Sequence, residues 1–151
     1  MSPEKVQEVI LKIIETISAQ IPAYINIPED WNNCGGNVAL CIIDDTGNVH
    51  GKIWGTDKLK GHRYFDIAYR KASQSWITGH ATGEYERLIF TEQINYRNFG
   101  IEPPELIGWK GGQPIALDNG TKIYCGFSGF RGNTDVAIVK NAAEEVIKNS
   151  L

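Results

Sequence analysis

The sequence predicts one α+β domain in which an antiparallel sheet is flanked by helices. Apolar residues recur at helical spacing near both ends and in the middle of the chain. Between these stretches lie two pairs of strand-like segments, each pair joined by a short turn sequence. The 151 residues contain no internal repeat and no linker rich in Gly, Ser or charge. A single domain covering residues 1–151 is therefore expected.

The N-terminal part of the chain predicts a helix followed by a strand hairpin. Ser2 can cap a helix that starts at Pro3, and apolar residues follow at steps of three and four up to Ile21. After a connection that contains proline and glycine, residues 37–44 are apolar on both faces and predict a central strand. The turn sequence Asp-Thr-Gly-Asn then leads into residues 49–54, whose alternating pattern completes the hairpin.

Two helices are predicted in the middle of the chain. In residues 62–77, aromatic and small side chains recur at steps of four, and Gly79 stands where a C-cap belongs. The small residues indicate that this helix lies close to the sheet. Residues 82–96 again have helical spacing, followed by a glycine and two prolines. Residues 58–63, which precede the first of these helices, are expected to be a basic loop.

A second hairpin and a final helix complete the predicted fold. Residues 115–117 and 121–127 read as strands joined by Asp-Asn-Gly, in which Asn-Gly is the favoured pair for a tight turn. Residues 108–114, which come before them, are expected to form a loop. Asn133 or Thr134 can cap a helix that runs almost to the C-terminus.

Composition and charge exclude several function classes. The net charge of -3 and the thin spread of 15 Lys and Arg residues offer no strong field for nucleic acid. The longest apolar run, residues 38–43, is far shorter than the roughly 20 residues of a membrane-spanning helix. The polar N-terminus does not resemble a secretion signal. Three cysteines without a Cys-x-x-Cys pair exclude a disulfide framework. We therefore expect a cytoplasmic protein that binds neither nucleic acid nor membrane.

The histidines are the first candidates for a ligand or metal site, since the sequence has no Walker A loop, Rossmann fingerprint or zinc motif. His50 alternates with apolar residues of its strand and is expected to face solvent. His80 follows the C-terminal end of a helix, where a favourable interaction with the helix dipole accounts for a histidine. His62 lies in the basic segment before a helix, where an anionic group could meet positive charge and a helix N-terminus. His62 is therefore the candidate ligand-binding and metal-binding residue.

Several segments of the chain together resemble one known family. Residues 111–115 read Gly-Gly-Gln-Pro-Ile, residues 126–129 read Gly-Phe-Ser-Gly, and Asp135 opens the last helix. With residues 37–47 and the Ile-Ala-Tyr-Arg-Lys-Ala of residues 67–72, these segments resemble the GlcG/HbpS/PduO C-terminal family, often labelled a haem-degrading domain. The resemblance implies a profilin-like antiparallel sheet flanked by helices that assembles into a homo-oligomer. It also implies haem as a possible cofactor, because some relatives bind it.

The expected site is a groove that binds haem or another small anionic molecule. His62 is the choice for the axial ligand because it is polar, flanked by basic residues and near the helix that the family's groove uses. Arg131 is expected to be available for a carboxylate of the ligand. The other residues expected to line the groove are Arg63, Gly112, Gln113 and Ser128.

Two further functions stay open on the sequence. The same groove could belong to a cofactor-independent enzyme acting on a small biosynthetic intermediate, with Lys71, Asp135 or His62 doing acid-base work. The structural alternative for Lys71 is an exposed helix face, and for Asp135 an acidic first turn. The chain could also be an oligomeric protein that binds only protein partners, in which case no small ligand would change its stability.

Overall fold

A four-stranded antiparallel sheet with helices on both sides organises the computed structural model, which describes residues 1–150. The α+β architecture predicted from the sequence is therefore confirmed. The helices are α1 (Pro3–Gln20), α2 (Pro28–Cys34), α3 (Lys58–Thr78), α4 (Thr82–Phe90) and α5 (Gly132–Ser150). The strands are β1 (Val38–Asp44), β2 (Val49–Trp54), β3 (Gly112–Ala116) and β4 (Lys122–Ser128). Over this described part of the chain, no helix is long and apolar enough to cross a membrane.

The strand order β2-β1-β4-β3 places β1 between its hairpin partner β2 and β4. Every residue of β1 is buried, which confirms the central strand expected from its apolar character on both faces. β3 lies at an edge of the sheet and starts at Gly112, so the loop expected over residues 108–114 is too long. Pro114 is tolerated in β3 because an edge strand has one side without ladder hydrogen bonds.

The larger core lies between the sheet and the pair of helices α1 and α5. The side chains that α1 contributes are those of the apolar stripe predicted from the sequence, and Ser2 caps the helix by accepting a hydrogen bond from Lys5 N at 3.2 Å. β1 and β4 contribute their apolar residues of one face, including Leu40 and Phe127. This burial fixes the start of α5 against the C-terminal end of β4.

On the other face of the sheet, α3 packs unusually close to the strands. Ala68 and Ala72 of α3 are fully buried against β1. A Cβ atom on Gly126 of β4 would overlap the carbonyl oxygen of Ala68. A Cβ on Gly112 of β3 would lie 2.6 Å from the carbonyl oxygen of Lys71. The expectation that small residues bring this helix close to the sheet is confirmed, and glycines on the strands complete the fit.

The boundaries of the middle helices differ from the predicted ones. α3 begins at Lys58, because the side chain of Asp57 caps it by accepting a hydrogen bond from Lys60 N at 3.0 Å. Residues 58–63 are thus helical, and the basic loop expected there was wrong. α4 ends at Phe90 rather than near residue 96, and only a short 3-10 turn follows over Tyr96–Asn98.

The connection expected over residues 22–36 contains additional helical structure. A 3-10 helix covers Ile21–Asn26, and α2 follows with Pro28 in its first turn. Gly35 ends α2 in a left-handed conformation with φ 57°. Cys34, which was expected in a loop, is the last residue of α2 and is fully buried, and burial raises the pKa of its thiol. This thiol is consequently protonated at neutral pH.

Candidate functional site

A buried ion pair joins the helices from the two sides of the sheet. Lys71 comes from α3 and Asp135 from the first turn of α5, and their side chains are each only 3% exposed. Lys71 Nζ lies 3.3 Å from Asp135 Oδ2 and donates a second hydrogen bond to the carbonyl oxygen of Phe127 at 2.8 Å. The backbone N–H of Phe130 donates to Asp135 Oδ1 at 3.0 Å. Lys71 is therefore not on an exposed helix face, the structural alternative considered from the sequence.

Burial brings the proton affinities of the two groups towards each other. It raises the pKa of Asp135 to about 8, although the charge of Lys71 and the N–H of Phe130 act in the opposite direction. Burial also lowers the pKa of Lys71, and the nearby carboxylate offsets only part of that effect. Burial therefore weakens the preference of the pair for the form in which both groups are charged.

The surroundings of the pair leave one hydrogen-bond donor unused. An ammonium group carries three N–H donors, whereas two acceptors, Phe127 O and Asp135, serve Lys71 within residues 1–150. Gly111 lies beside the amine with φ 127°, and a Cβ there would be 2.8 Å from Lys71 Nζ and 2.6 Å from Phe127 O. Any larger residue at this position would clash with both atoms. The third N–H of the amine can bind one more acceptor.

Both groups of the pair line a pocket of about 390 Å³ at the end of the sheet where β4 stops and α5 begins. Tyr64 and Ile67 of α3 form one wall. Trp109 and Lys110 form another, and Lys110 Nζ donates to Asn133 Oδ1 at 3.0 Å. The remaining lining residues are Asn33, Ser128, Gly129, Phe130 and Gly132. The pocket thus combines aromatic walls with a polar floor formed by the ion pair.

A second buried carboxylate anchors the segment between β4 and α5. Asp30 of α2 is 1% exposed and accepts hydrogen bonds from Arg131 N and Nε, both at 3.0 Å, and from Thr134 Oγ1 at 3.0 Å. Burial acts to raise the pKa of Asp30, but these hydrogen bonds outweigh it and lower the pKa. The guanidinium of Arg131 is thus engaged with Asp30, whereas the sequence suggested that it binds a ligand carboxylate.

The structure does not bring all the candidate residues into one groove. Ser128 lies in the pocket with Lys71 and Asp135. His62 and Arg63 are exposed on α3 and contribute to none of the pocket walls described here. Because α3 begins four residues earlier than expected, His62 lies within its second turn and not in a loop at its start.

The two strand residues named from the sequence have structural partners of their own. Gly112 N donates to Thr82 Oγ1 at 3.3 Å, and Gln113 Nε2 donates to the carbonyl oxygen of Val136 at 3.1 Å. Each lines a different shallow depression, neither of which contains the ion pair. Gly112 therefore serves the close approach of α3 and α4 to β3.

Sequence reasoning missed the aromatic and polar walls of the pocket. Tyr64 stands seven residues before Lys71 on α3, so helical spacing could have placed both on one face. Trp109 and Lys110 precede the glycine motif directly, but nothing local indicates that they fold over α3. No sequence pattern indicated the role of Asp30, because its partner Arg131 lies 101 residues away.

In the described part of the chain, no group of three or more His, Cys, Asp or Glu residues could hold a metal ion.

Comparisons with known proteins identify the fold. No protein-family model and no curated protein sequence matches the chain. Among solved structures, a double mutant of HbpS from Streptomyces reticuli aligns with a TM-score of 0.65 and 17% identity, over 91% of this chain and 84% of that one. Protein ORFY of Klebsiella pneumoniae aligns with a TM-score of 0.62 and 18% identity, over 90% and 88%. A PduOC complex with haem aligns with a TM-score of 0.60 and 16% identity, over 95% and 93%.

These similarities define an α+β protein built like HbpS and ORFY. The fold that the motif resemblance implied is therefore confirmed over most of the chain. At 16–18% identity the shared property is the fold itself.

Proposed function

We propose that this protein binds a small anionic molecule in the pocket above Lys71 and Asp135. The observation that carries the proposal is the unused N–H donor of Lys71, a buried ammonium that an acceptor atom of the ligand would satisfy. Lys110 adds positive charge at the rim of the pocket, and the N-terminus of α5 adds its dipole. These features favour a carboxylate or a similar oxyanion.

The size and walls of the pocket restrict the rest of the ligand. Its volume of about 390 Å³ suits a small molecule and lies near the lower end of common ligand sites. Tyr64, Trp109 and Phe130 offer aromatic surface beside the polar floor. A compact ligand with one anionic end and a flat or apolar body fits this combination.

A thermal-shift screen of small carboxylates tests the proposal. A ligand present at 100 times its dissociation constant stabilises the folded protein by about 2.7 kcal/mol, a readily measured increase in Tm. Lys71→Met should abolish the shift, whereas Lys148→Met, at an exposed position of α5, should leave it unchanged. Equal shifts in wild type and Lys71→Met would place the ligand elsewhere and contradict the proposal.

Haem is a second candidate ligand, favoured by the shared fold with the PduOC structure that contains it. The residues of this pocket fit haem poorly. Tyr64 is the side chain there of a type that commonly ligates haem iron, but its hydroxyl donates to Asn33 O at 3.2 Å and burial raises its pKa. His62, the axial ligand expected from the sequence, lies outside the pocket on the exposed face of α3.

Hemin titration tests this second candidate. A ligated haem would shift the Soret band, and His62→Ala should abolish that shift if His62 is the axial ligand. A shift that survives His62→Ala but not Tyr64→Phe would assign the iron to the pocket. Because His62 is exposed, its replacement is not expected to disturb folding.

Acid-base catalysis on the bound molecule is a further candidate function, in which the chain is a cofactor-independent enzyme. The specific observation is that a carboxyl group with a pKa of about 8 and an amine with a lowered pKa share the floor of one pocket. The carboxyl group could give or take a proton near neutral pH, and burial moves the pKa of the amine towards that range. Asp135→Asn should then abolish turnover of a substrate while ligand binding persists.

The homo-oligomer implied by the resemblance and a cytoplasmic location remain proposals. Light scattering coupled to size-exclusion chromatography tests the first, because a symmetric assembly has a mass that is a multiple of 16.8 kDa. Cell fractionation tests the second.

A further inference from the structure

We propose that Lys71 forms an imine with a small 2-oxo acid bound in this pocket, so that the ligand is held covalently through its carbonyl carbon. The proposal deepens the proposed function, since it rests on binding of an anionic molecule above the Lys71–Asp135 pair.

The geometry supplies the groups that imine formation needs. A nucleophilic amine, Lys71 Nζ, lines the pocket although its side chain is only 3% exposed. A carboxyl group, Asp135 Oδ2, lies 3.3 Å from that nitrogen and can move protons at it. Both residues line the pocket of about 390 Å³, whose free volume can hold a small ligand beside them. The amine, the acid and the free volume therefore lie at one site.

Burial shifts both groups towards the forms that react. Imine formation needs a neutral amine and a proton donor, which the pair provides when the proton of Lys71 moves to Asp135. Burial lowers the pKa of the amine and raises that of the acid, so this transfer is easier than between exposed groups. The ligand's carboxylate then finds Lys110 and the first turn of α5 at the pocket rim.

The reaction balances with the groups present. The lone pair of Lys71 Nζ attacks the carbonyl carbon, and Asp135 donates its proton to the oxygen as the C=O double bond opens. The resulting carboxylate takes one proton from the nitrogen and returns it to the hydroxyl group, which leaves as water when the C=N bond forms. The product is a protonated imine beside the Asp135 carboxylate, an ion pair that replaces the original one at the same place.

Reductive trapping with glyoxylate, the smallest 2-oxo acid, tests the inference. The protein is incubated at neutral pH with glyoxylate and sodium cyanoborohydride, and intact mass and peptide maps are recorded. We expect one carboxymethyl group per chain, located on Lys71 and absent without the reductant. Lys71→Arg should lose this label, Asp135→Asn should acquire it about 100-fold more slowly, and Lys148→Met should match wild type.

A parallel measurement separates this inference from the proposed function. Glycolate has the same carboxylate as glyoxylate but no carbonyl group, so it can bind and cannot form an imine. Thermal shifts with both acids but no label on Lys71 would overturn the imine and leave anion binding intact. Labels spread over exposed lysines, with Lys71 unmodified, would overturn it equally. Absence of both shift and label would reject both proposals for this class of acid. If Lys71→Arg fails to fold, the peptide map of the wild type decides alone.

Discussion

Lys71→Met should destabilise the protein strongly, because it removes one member of a buried pair and leaves the other. Asp135 is 3% exposed, and its carboxyl group would then have the N–H of Phe130 but no cation beside it. Breaking a buried ion pair in this way costs about 3–5 kcal/mol. Phe127 O also loses its hydrogen bond from Nζ. Met fills nearly the volume of the lysine stem, so little of the expected loss comes from a cavity.

The pH dependence of this variant identifies the cause of the loss. Without Lys71, the pKa of Asp135 rises above its already raised value of about 8, whereas in the unfolded chain it stays near its ordinary value. The folded protein then binds one proton more than the unfolded chain between these two values. The free energy of unfolding therefore decreases with rising pH, by about 1.4 kcal/mol per pH unit. The variant should therefore be more stable at about pH 5 than at about pH 8.

Urea unfolding followed by circular dichroism from about pH 5 to about pH 8 measures this effect. The matched control is the double variant Lys71→Met/Asp135→Asn, which has no titrating group at the pair and should lose the pH slope. A flat pH profile for Lys71→Met, or a stability equal to that of wild type, would refute the view that Asp135 is buried beside an essential cation.

Two further predictions concern the packing around the site. Gly126→Ala should cost about 1–3 kcal/mol or prevent folding, because its Cβ overlaps Ala68 O, whereas Gly120→Ala, with no atom within 4 Å, should be close to neutral in the same denaturation experiment. Asp30→Asn should weaken the attachment of α2 to Arg131 and lower the unfolding free energy by about 2–4 kcal/mol at neutral pH. Because the pKa of Asp30 is lowered in the folded state, the wild type's advantage over this variant should shrink as the pH falls through that lowered pKa. An unchanged difference at low pH would contradict the assignment.

The regular elements were predictable where local chemistry decides them. Residues that are close together in the sequence determine the apolar stripe of α1, its Ser2 cap and the apolar strand β1. The structure contains all three as expected. α2 was missed because it is a short helix of polar residues that holds its place through Asp30, whose partner is distant in sequence. α3 starts early because Asp57 caps it. This cap was missed because the basic residues that follow Asp57 were interpreted as a loop.

The candidate site was only partly predictable. Lys71 and Asp135 were named among the alternative acid-base residues, and the structure places their side chains 3.3 Å apart. The same reasoning named His62, which helical geometry turns to the exposed side of α3. Charge and sequence neighbourhood favoured His62, but burial is what gives Lys71 its altered proton affinity.

The sequence by itself determined the order of elements, the antiparallel hairpins and the close approach of α3 to the sheet, since these follow from periodicity, turn residues and small side chains. Only the tertiary structure decided where the chemistry lies. A charged residue can form a functional site when the fold buries it and places a charged partner beside it. Here this depends on contacts between α3 and α5, which lie on opposite sides of the sheet. Desolvation of Lys71 and Asp135 is a property of those contacts, and no local pattern in the chain encodes it.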